Sequence, residues 1–359
     1  MRKIITTALV SVMALSLAAC GGQVAADSSP SPSGSSAEVT DTEERPGTGG
    51  QEAAEGSTSS TPGAPASPKT ITVSSLDASR QKITLDVPFN PKRIAVLDMA
   101  VLDMLDSWGL GDRVVGMPKA SSVDYLSSYN DNEEIANLGT LKEVDLEALM
   151  SCEPDLIFIG GRLSAQYDEL SGIAPVVFTA VDYETGLIES VRQNAANIAS
   201  IFGVGEMAEK QLAGFDARVD ALAQAAEGKT AVVGMVTSSN LSTLGNNSRC
   251  SLIGGEVGFK NLADHVNSTH GNESSFELLV SLNPDYLFVL DRDSAISTEG
   301  AKLAQEVMDN ELVKKTAAYQ NGNIVYLTPS VWYLAEGGIT ATDVMLRDLE
   351  EGLGIGSGR

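Results

Sequence analysis

From about residue 69 the chain becomes a succession of short apolar runs and stretches with helical spacing. "TITVSS" and "KITLDVP" alternate apolar and polar side chains, which predicts an opening antiparallel hairpin. "RIAVLD" (Arg93–Asp98) and "RVVGM" read as buried strands, and "AVLDMLDSWG" between them as a helix stopped at Gly109. "VDLEALMSCEP" predicts a helix ended by Pro154, with "DLIFIGG" and "PVVFTAV" as the next strands. The second half restarts the pattern. "TAVVGMV", "YLFVLDR" and "NIVYLTP" predict strands, and "SLIGGEVG" and "SFELLVSLNPD" predict helices. Alternation at this pace implies mostly parallel sheets covered on both faces. Between the halves, "GEMAEKQLAGFDARVDALAQAAEG" contains no proline, and Met207, Leu212, Phe215, Val219 and Leu222 recur at near-helical intervals. This predicts one connecting helix of roughly twenty residues, about 30 Å long. The expected fold is α/β: an N-terminal lobe over 69–203, a single long helix within 204–227, and a C-terminal lobe over 228–359. A stiff connector of this kind limits how far the lobes can hinge.

One segment is written twice. "LEALMSCEPDLIFIGGR" (Leu146–Arg162) and "FELLVSLNPDYLFVLDR" (Phe276–Arg292) match at Glu147/Glu277, Leu149/Leu279, Pro154/Pro284, Asp155/Asp285 and Arg162/Arg292. The repeat is the helix–Pro-Asp–strand unit of two related lobes. Ligands of open α/β sheets bind beyond the carboxyl ends of the strands. Arg162 and Arg292 lie just past such ends, so two facing lobes would aim both into one cleft.

The N-terminus has the organisation of a precursor. Arg2 and Lys3 precede the short apolar run Ile4–Leu17, which closes with "LAAC" at Cys20. The run is too short to span a bilayer as a helix and suits a signal peptide over 1–19. Ala-Ala before Cys, then Gly-Gly, resembles the lipobox of bacterial lipoproteins, in which cleavage precedes the Cys and its thiol carries lipid. The alternative is an ordinary secretory signal that happens to contain a Cys. Residues 20–68 hold Ser, Pro, Gly, Ala and acidic side chains with few bulky apolar ones, a composition expected to be a disordered tether. Cys152 and Cys250 lack metal-ligand spacing; they read as buried thiols rather than an interlobe disulfide.

The chain carries a net charge of −24, and its first 68 residues hold three basic against seven acidic side chains. The body is therefore strongly acidic, which argues against nucleic acid and gives weight to any basic cluster within it. "GLGDRVVG" follows a helix and precedes a strand, the reverse of a dinucleotide fingerprint. There is no G-x-S-x-G, H-E-x-x-H or P-loop, so an enzyme such as a hydrolase is a weak reading. A surface adhesin would account for a tether but not for arginines beyond strand ends.

"NPKRIAVLDMAVLDMLDSWGLGDRVVGMPK", "GTLKEVDLEAL", "GGR", "NNSRCSLI", "THG", "DRD" and "PSVWYLAEGG" occur in order from about residue 70 to the end. Together they resemble the solute-binding lipoproteins of bacterial iron-siderophore ABC importers, with the class III binding-protein fold, and within them the catecholate and petrobactin branch. The resemblance implies a non-enzymatic, monomeric protein with no permanent cofactor. Its ligand would be an Fe(III)-siderophore, and its partners an ABC permease and ATPase. Its location would be extracytoplasmic, lipid-anchored through Cys20, on a Gram-positive surface or in a periplasm. Arg162, Arg249 and Arg292 match the positions that hold the anionic siderophore, and guanidinium offers fixed donors to it. His270 and Tyr333 match residues that complete the iron coordination of bis-catecholates; they either bond iron or only line the cleft. Glu147 and Glu277 match the glutamates that dock on the permease, against the plain alternative of solvated helix faces. Lys119 would add charge at the cleft mouth, and Trp332 either walls the cleft or packs. Hydroxamate or citrate siderophores, haem and corrinoids are the other ligands of such proteins.

Overall fold

The computed structural model describes residues 69–355, apart from 267 and 269. Cys20, the signal segment and the tether lie outside the described residues. The opening hairpin forms as the alternation predicts: β1 (Thr70–Leu76) pairs antiparallel with β2 (Lys82–Pro88). The N-lobe sheet comprises β3 (Ile94–Leu97), β4 (Val114–Met117), β5 (Ala136–Asn137), β6 (Leu156–Ile159) and β7 (Val176–Phe178). These strands are all parallel, in the order β5-β4-β3-β6-β7. β3 and β6 are buried at every position, because helices cover both faces.

The C-lobe sheet is mixed. β8 (Thr230–Thr237) and β12 (Tyr286–Asp291) are parallel at its centre and β13 (Ile324–Tyr326) extends them. β10 (Lys260–Asn261) also runs parallel to β8, whereas β9 (Asn240–Leu244) and β11 (Asn272–Ser274) are antiparallel. "SLIGGEVG" contributes only a π-helical turn, Leu252–Glu256.

The doubled segment performs the same structural task in each lobe. Asp145 and Ser275 cap the helices Leu146–Ser151 and Phe276–Leu282 by accepting from Ala148 and Leu278 N–H. The residue before each proline turns left-handed, Glu153 and Asn283 both at φ +43°. The following aspartate then ties the entry of the lobe's central strand. Asp155 Oδ2 accepts from Lys92 and Arg93 N–H, and Asp285 Oδ2 from Thr230 N–H, 2.8–2.9 Å. Cap, reversal and tie together set where β6 and β12 begin, and therefore where the arginine at each far end emerges.

The connector corrects the expected single long helix. It is broken into Gly205–Leu212 and Phe215–Ala226, preceded by Leu187–Phe202, a helix outside those predicted. Ala213 is extended and Gly214 sits at φ +102°, a conformation glycine alone adopts without strain. Leu212, Phe215 and Leu222 are buried as the spacing predicts, but Met207 is exposed.

Side chains also tie the two lobes directly across the seam. Asp103, fully buried on the N-lobe helix Met99–Ser107, accepts from Thr340 and Ala341 N–H at 2.9 and 2.8 Å, the start of the C-terminal helix Ile339–Leu353. Glu256 of the C-lobe accepts from Leu187 and Ile188 N–H at 2.9 and 3.0 Å, capping the helix that leaves the N-lobe. Each lobe thus supplies a carboxylate to a helix N-terminus presented by the other, where orphan donors and the helix dipole favour it. Arg218 adds a tie from the connector to Asp343 and Glu350 at 2.6–2.8 Å. One continuous apolar core runs across both lobes, from Val73 to Leu349.

Candidate functional site

In the N-lobe β3 is central; β4 and β5 build to one side and β6 and β7 to the other. The switch point is the gap between the ends of β3 and β6, and Asp98 and Arg162 sit at those ends. In the C-lobe, β12 ends at Asp291 and Arg292 follows. Arg249 comes from the loop between β9 and the π-helical turn, and Tyr333 from the helix Pro329–Leu334 after β13.

All three arginines converge on Tyr333. Their guanidinium carbons lie 5.7 Å (Arg162), 4.3 Å (Arg249) and 5.6 Å (Arg292) from the ring centre. The cations face the ring's negative quadrupole. Arg162 Nη2 donates to the Tyr333 carbonyl at 2.8 Å, and Arg249 Nη1 to the Trp332 and Tyr333 carbonyls at 2.9 and 2.8 Å. Arg292 Nε donates to the Tyr333 hydroxyl at 3.0 Å. The loose end of the helix Pro329–Leu334 supplies those carbonyl acceptors, which a helix terminus leaves open.

A cavity of about 270 Å³ opens beside this cluster. Arg162, Arg249, His270 and Tyr333 are on its wall, and the exposed Arg80 and Lys142 carry it to the surface. Burial, and then the charge of Arg249, hold the Arg162 guanidinium below its usual range. Burial lowers His270 as well, followed by Arg249, Arg292, Lys142 and Arg162. The imidazole is thereby kept neutral, the form that has a lone pair for a metal. Two acids face the cations. Asp98 caps the helix Met99–Ser107, and burial raises its carboxyl while Arg162 pulls it down. Glu336 is likewise raised by burial against the opposing pull of Arg249. Arg249 Nε is buried without a partner among the described residues. Three cations, two of them on the cavity wall, constitute a site whose unspent capacity is for an anion.

The remaining sequence candidates fall elsewhere. Lys119 is not on the cavity wall; its ammonium donates to the Asn132 carbonyl at 2.6 Å, and Lys142 and Arg80 take the place assigned to it. Trp332 is fully buried, with its indole N–H on Asp348 Oδ2 at 2.8 Å, so it packs rather than walls the cavity. Glu147 and Glu277 are exposed in the first turns of the two repeated helices, away from the cavity. Cys152 and Cys250 are free, buried thiols. Asp98, Tyr183, Glu336 and Lys142 are not singled out by the motifs, although Asp98, Lys142 and Glu336 lie inside the quoted "NPKRIAVLDMAVLDMLDSWGLGDRVVGMPK", "GTLKEVDLEAL" and "PSVWYLAEGG".

Comparison with known proteins gives the family of the chain. The profile of a family described as periplasmic binding protein matches residues 94–331. The petrobactin-binding protein YclQ of Bacillus subtilis is 36% identical over 270 residues, covering 74% of this chain and 84% of its own. Its crystal structure superposes with a TM-score of 0.74 at 35% identity, over 80% of this chain and 99% of that one. The ferric-anguibactin-binding protein FatB of Vibrio anguillarum is 28% identical, over 73% of this chain and 82% of its own. The crystal structure of VctP from Vibrio cholerae, a periplasmic catecholate-siderophore binding protein, gives a TM-score of 0.72 at 33% identity, over 78% and 100% of the two chains. With its α/β lobes, its arginine-rich seam and these matches, the chain belongs to the periplasmic binding protein family.

Proposed function

We propose that the protein captures an anionic ferric siderophore of the catecholate type between its lobes and hands it, chemically unchanged, to an ABC permease and its ATPase. The observation that carries this reading is the convergence of Arg162, Arg249 and Arg292 within 6 Å of one tyrosine ring. Catechol oxygens around Fe(III) leave a net negative complex, and guanidinium donors recognise it by charge-assisted hydrogen bonds. The rest of the body is acidic, but its distant charges are screened beyond about 8 Å. The binding roles of the relatives, petrobactin, ferric anguibactin and catecholate siderophores, support the same ligand class.

Tyr333 and His270 then complete the coordination of a bis-catecholate. Phenolate is a hard anionic donor suited to ferric iron, and the Arg292 N–H already bonded to the hydroxyl oxygen would be retained and strengthened by a phenolate. Glu147 and Glu277, at matching exposed positions of the two lobes, are assigned to permease docking. Cys20 is assigned to lipidation, which would hold the protein at the outer face of the cell membrane.

Titration of the purified protein with ferric catecholate, hydroxamate and citrate complexes, followed by tryptophan fluorescence, tests the reading. Saturable quenching by the catecholate is expected, and its absence contradicts the proposal. Tyr333→Phe and His270→Ala should each alter the iron charge-transfer band; an unchanged band in both rules out direct ligation.

A further inference from the structure

The turn after Tyr333 is where the C-lobe enters the N-lobe. Gly337, at φ +107°, passes so close that a Cβ would lie 3.1 Å from Val181 Cγ2 and 3.6 Å from Ala100 Cβ. One residue earlier, the Glu336 side chain is only 5% exposed and collects three groups from two loops. Its Oε2 accepts from the Tyr183 hydroxyl at 2.8 Å, on the N-lobe loop after β7. Its Oε1 accepts from Cys250 N–H at 3.1 Å, on the loop that carries Arg249. Its Oε2 lies 3.9 Å from Arg249 Nη1. Cys250 is held at φ +64°, a left-handed conformation that a residue other than glycine keeps only where its surroundings impose it. The Glu336 bond to its N–H is one such constraint.

Resting on the reading that an anionic ferric complex occupies the cavity, we propose that Glu336 is a positioning residue for Arg249. It clamps the Arg249 loop, through the Cys250 N–H, to Tyr183 of the opposite lobe, and so fixes where the guanidinium meets the ligand. A glutamine is a weaker clamp. A carboxylate accepts at both oxygens, whereas an amide has a donor at one. In one orientation that donor meets the Cys250 N–H; in the other the Cys250 bond is kept, but the amide N–H points at the Tyr183 hydroxyl and replaces the negative oxygen that faces Arg249. The alternative, a mere opposing charge, makes the contrary prediction, because removing a negative charge favours an anion.

The test is a double-mutant cycle on the full chain, with a synthetic ferric bis-catecholate as probe and tryptophan quenching as readout. Glu336→Gln should weaken binding about tenfold, and Tyr183→Phe about threefold. In an Arg249→Lys background, which keeps the charge but loses the fork, both substitutions should cost less than about twofold, because their effect passes through Arg249. Unchanged or tighter binding by Glu336→Gln overturns the proposal, as does a loss of the same size in the Arg249→Lys background. If Glu336→Gln does not fold, Tyr183→Phe in the two backgrounds decides by the same criterion. If the wild-type protein does not bind the probe, the functional reading falls and this inference with it. Wild-type binding with an additive cycle overturns this inference alone.

Discussion

Asp103 and Arg249 are both charges at the seam between the lobes, and their surroundings are opposite. Asp103 is fully buried and its carboxylate is saturated by Tyr125 O–H, Thr340 N–H and Ala341 N–H. Arg249 spends Nη1 on two carbonyls of the Tyr333 helix and leaves Nε without a partner among the described residues. A saturated buried charge fixes register, since removing it strands every donor around it. An under-used charge beside an open cavity has capacity left for a ligand. The same seam therefore contains a structural half and a binding half, and substitutions should separate them.

The largest effect should come from Asp103→Ala. It orphans two backbone donors and a tyrosine hydroxyl, and is expected to cost about 3–5 kcal/mol in urea unfolding. Arg249→Ala should act on affinity instead: loss of one charged partner from a ligand contact costs about 2–5 kcal/mol in binding by fluorescence titration. If Asp103→Ala left stability intact, or Arg249→Ala left affinity intact, the division of roles would fail.

A third effect sharpens the Asp103 side. Burial, the largest influence, raises its carboxyl from 3.8 to about 6, against the lowering pull of Tyr125 and the backbone donors. The folded state therefore holds this proton more tightly than the unfolded chain does. The group's contribution to stability is complete below about pH 3.8 and is lost as pH rises through about 6. Relative to Asp103→Asn, which does not titrate, the wild-type protein should gain up to about 3 kcal/mol between pH 7 and pH 4. Unfolding curves of both proteins at several pH values check this, and parallel profiles would contradict it. The smallest effect should be Gly337→Ala, about 1–2 kcal/mol in thermal unfolding, from a left-handed alanine whose Cβ presses on Val181.

Much of the scaffold was legible in the residues. The Pro-Asp repeat predicts both helix–strand units because local chemistry, a cap, a reversal and a strand tie, does the work there. Arg162 and Arg292, past strand ends of opposite lobes, lie within 6 Å of one ring centre, whereas Arg249, from the loop after β9, and Tyr333, on a helix, are legible only through the family resemblance. The break in the connector is not legible in the sequence, because one glycine costs a helix only about 1 kcal/mol, too little to predict it. At Gly214 the backbone turns left-handed and a new helix starts at Phe215. Nothing in the sequence puts Lys142 ahead of Lys119 at the cavity, since both lie in loops whose course depends on long-range contacts. Glu336 and Tyr183 are 153 positions apart, so their bond is a product of lobe docking that no local pattern encodes.

The central claim is that the seam selects its ligand by negative charge. The most direct measurement compares dissociation constants for an anionic ferric bis-catecholate and a neutral ferric tris-hydroxamate of similar size, in one buffer at moderate salt. The account predicts that the anionic complex binds at least about a hundredfold tighter, and that added salt narrows the gap. Equal affinities, or a preference for the neutral complex, would contradict it.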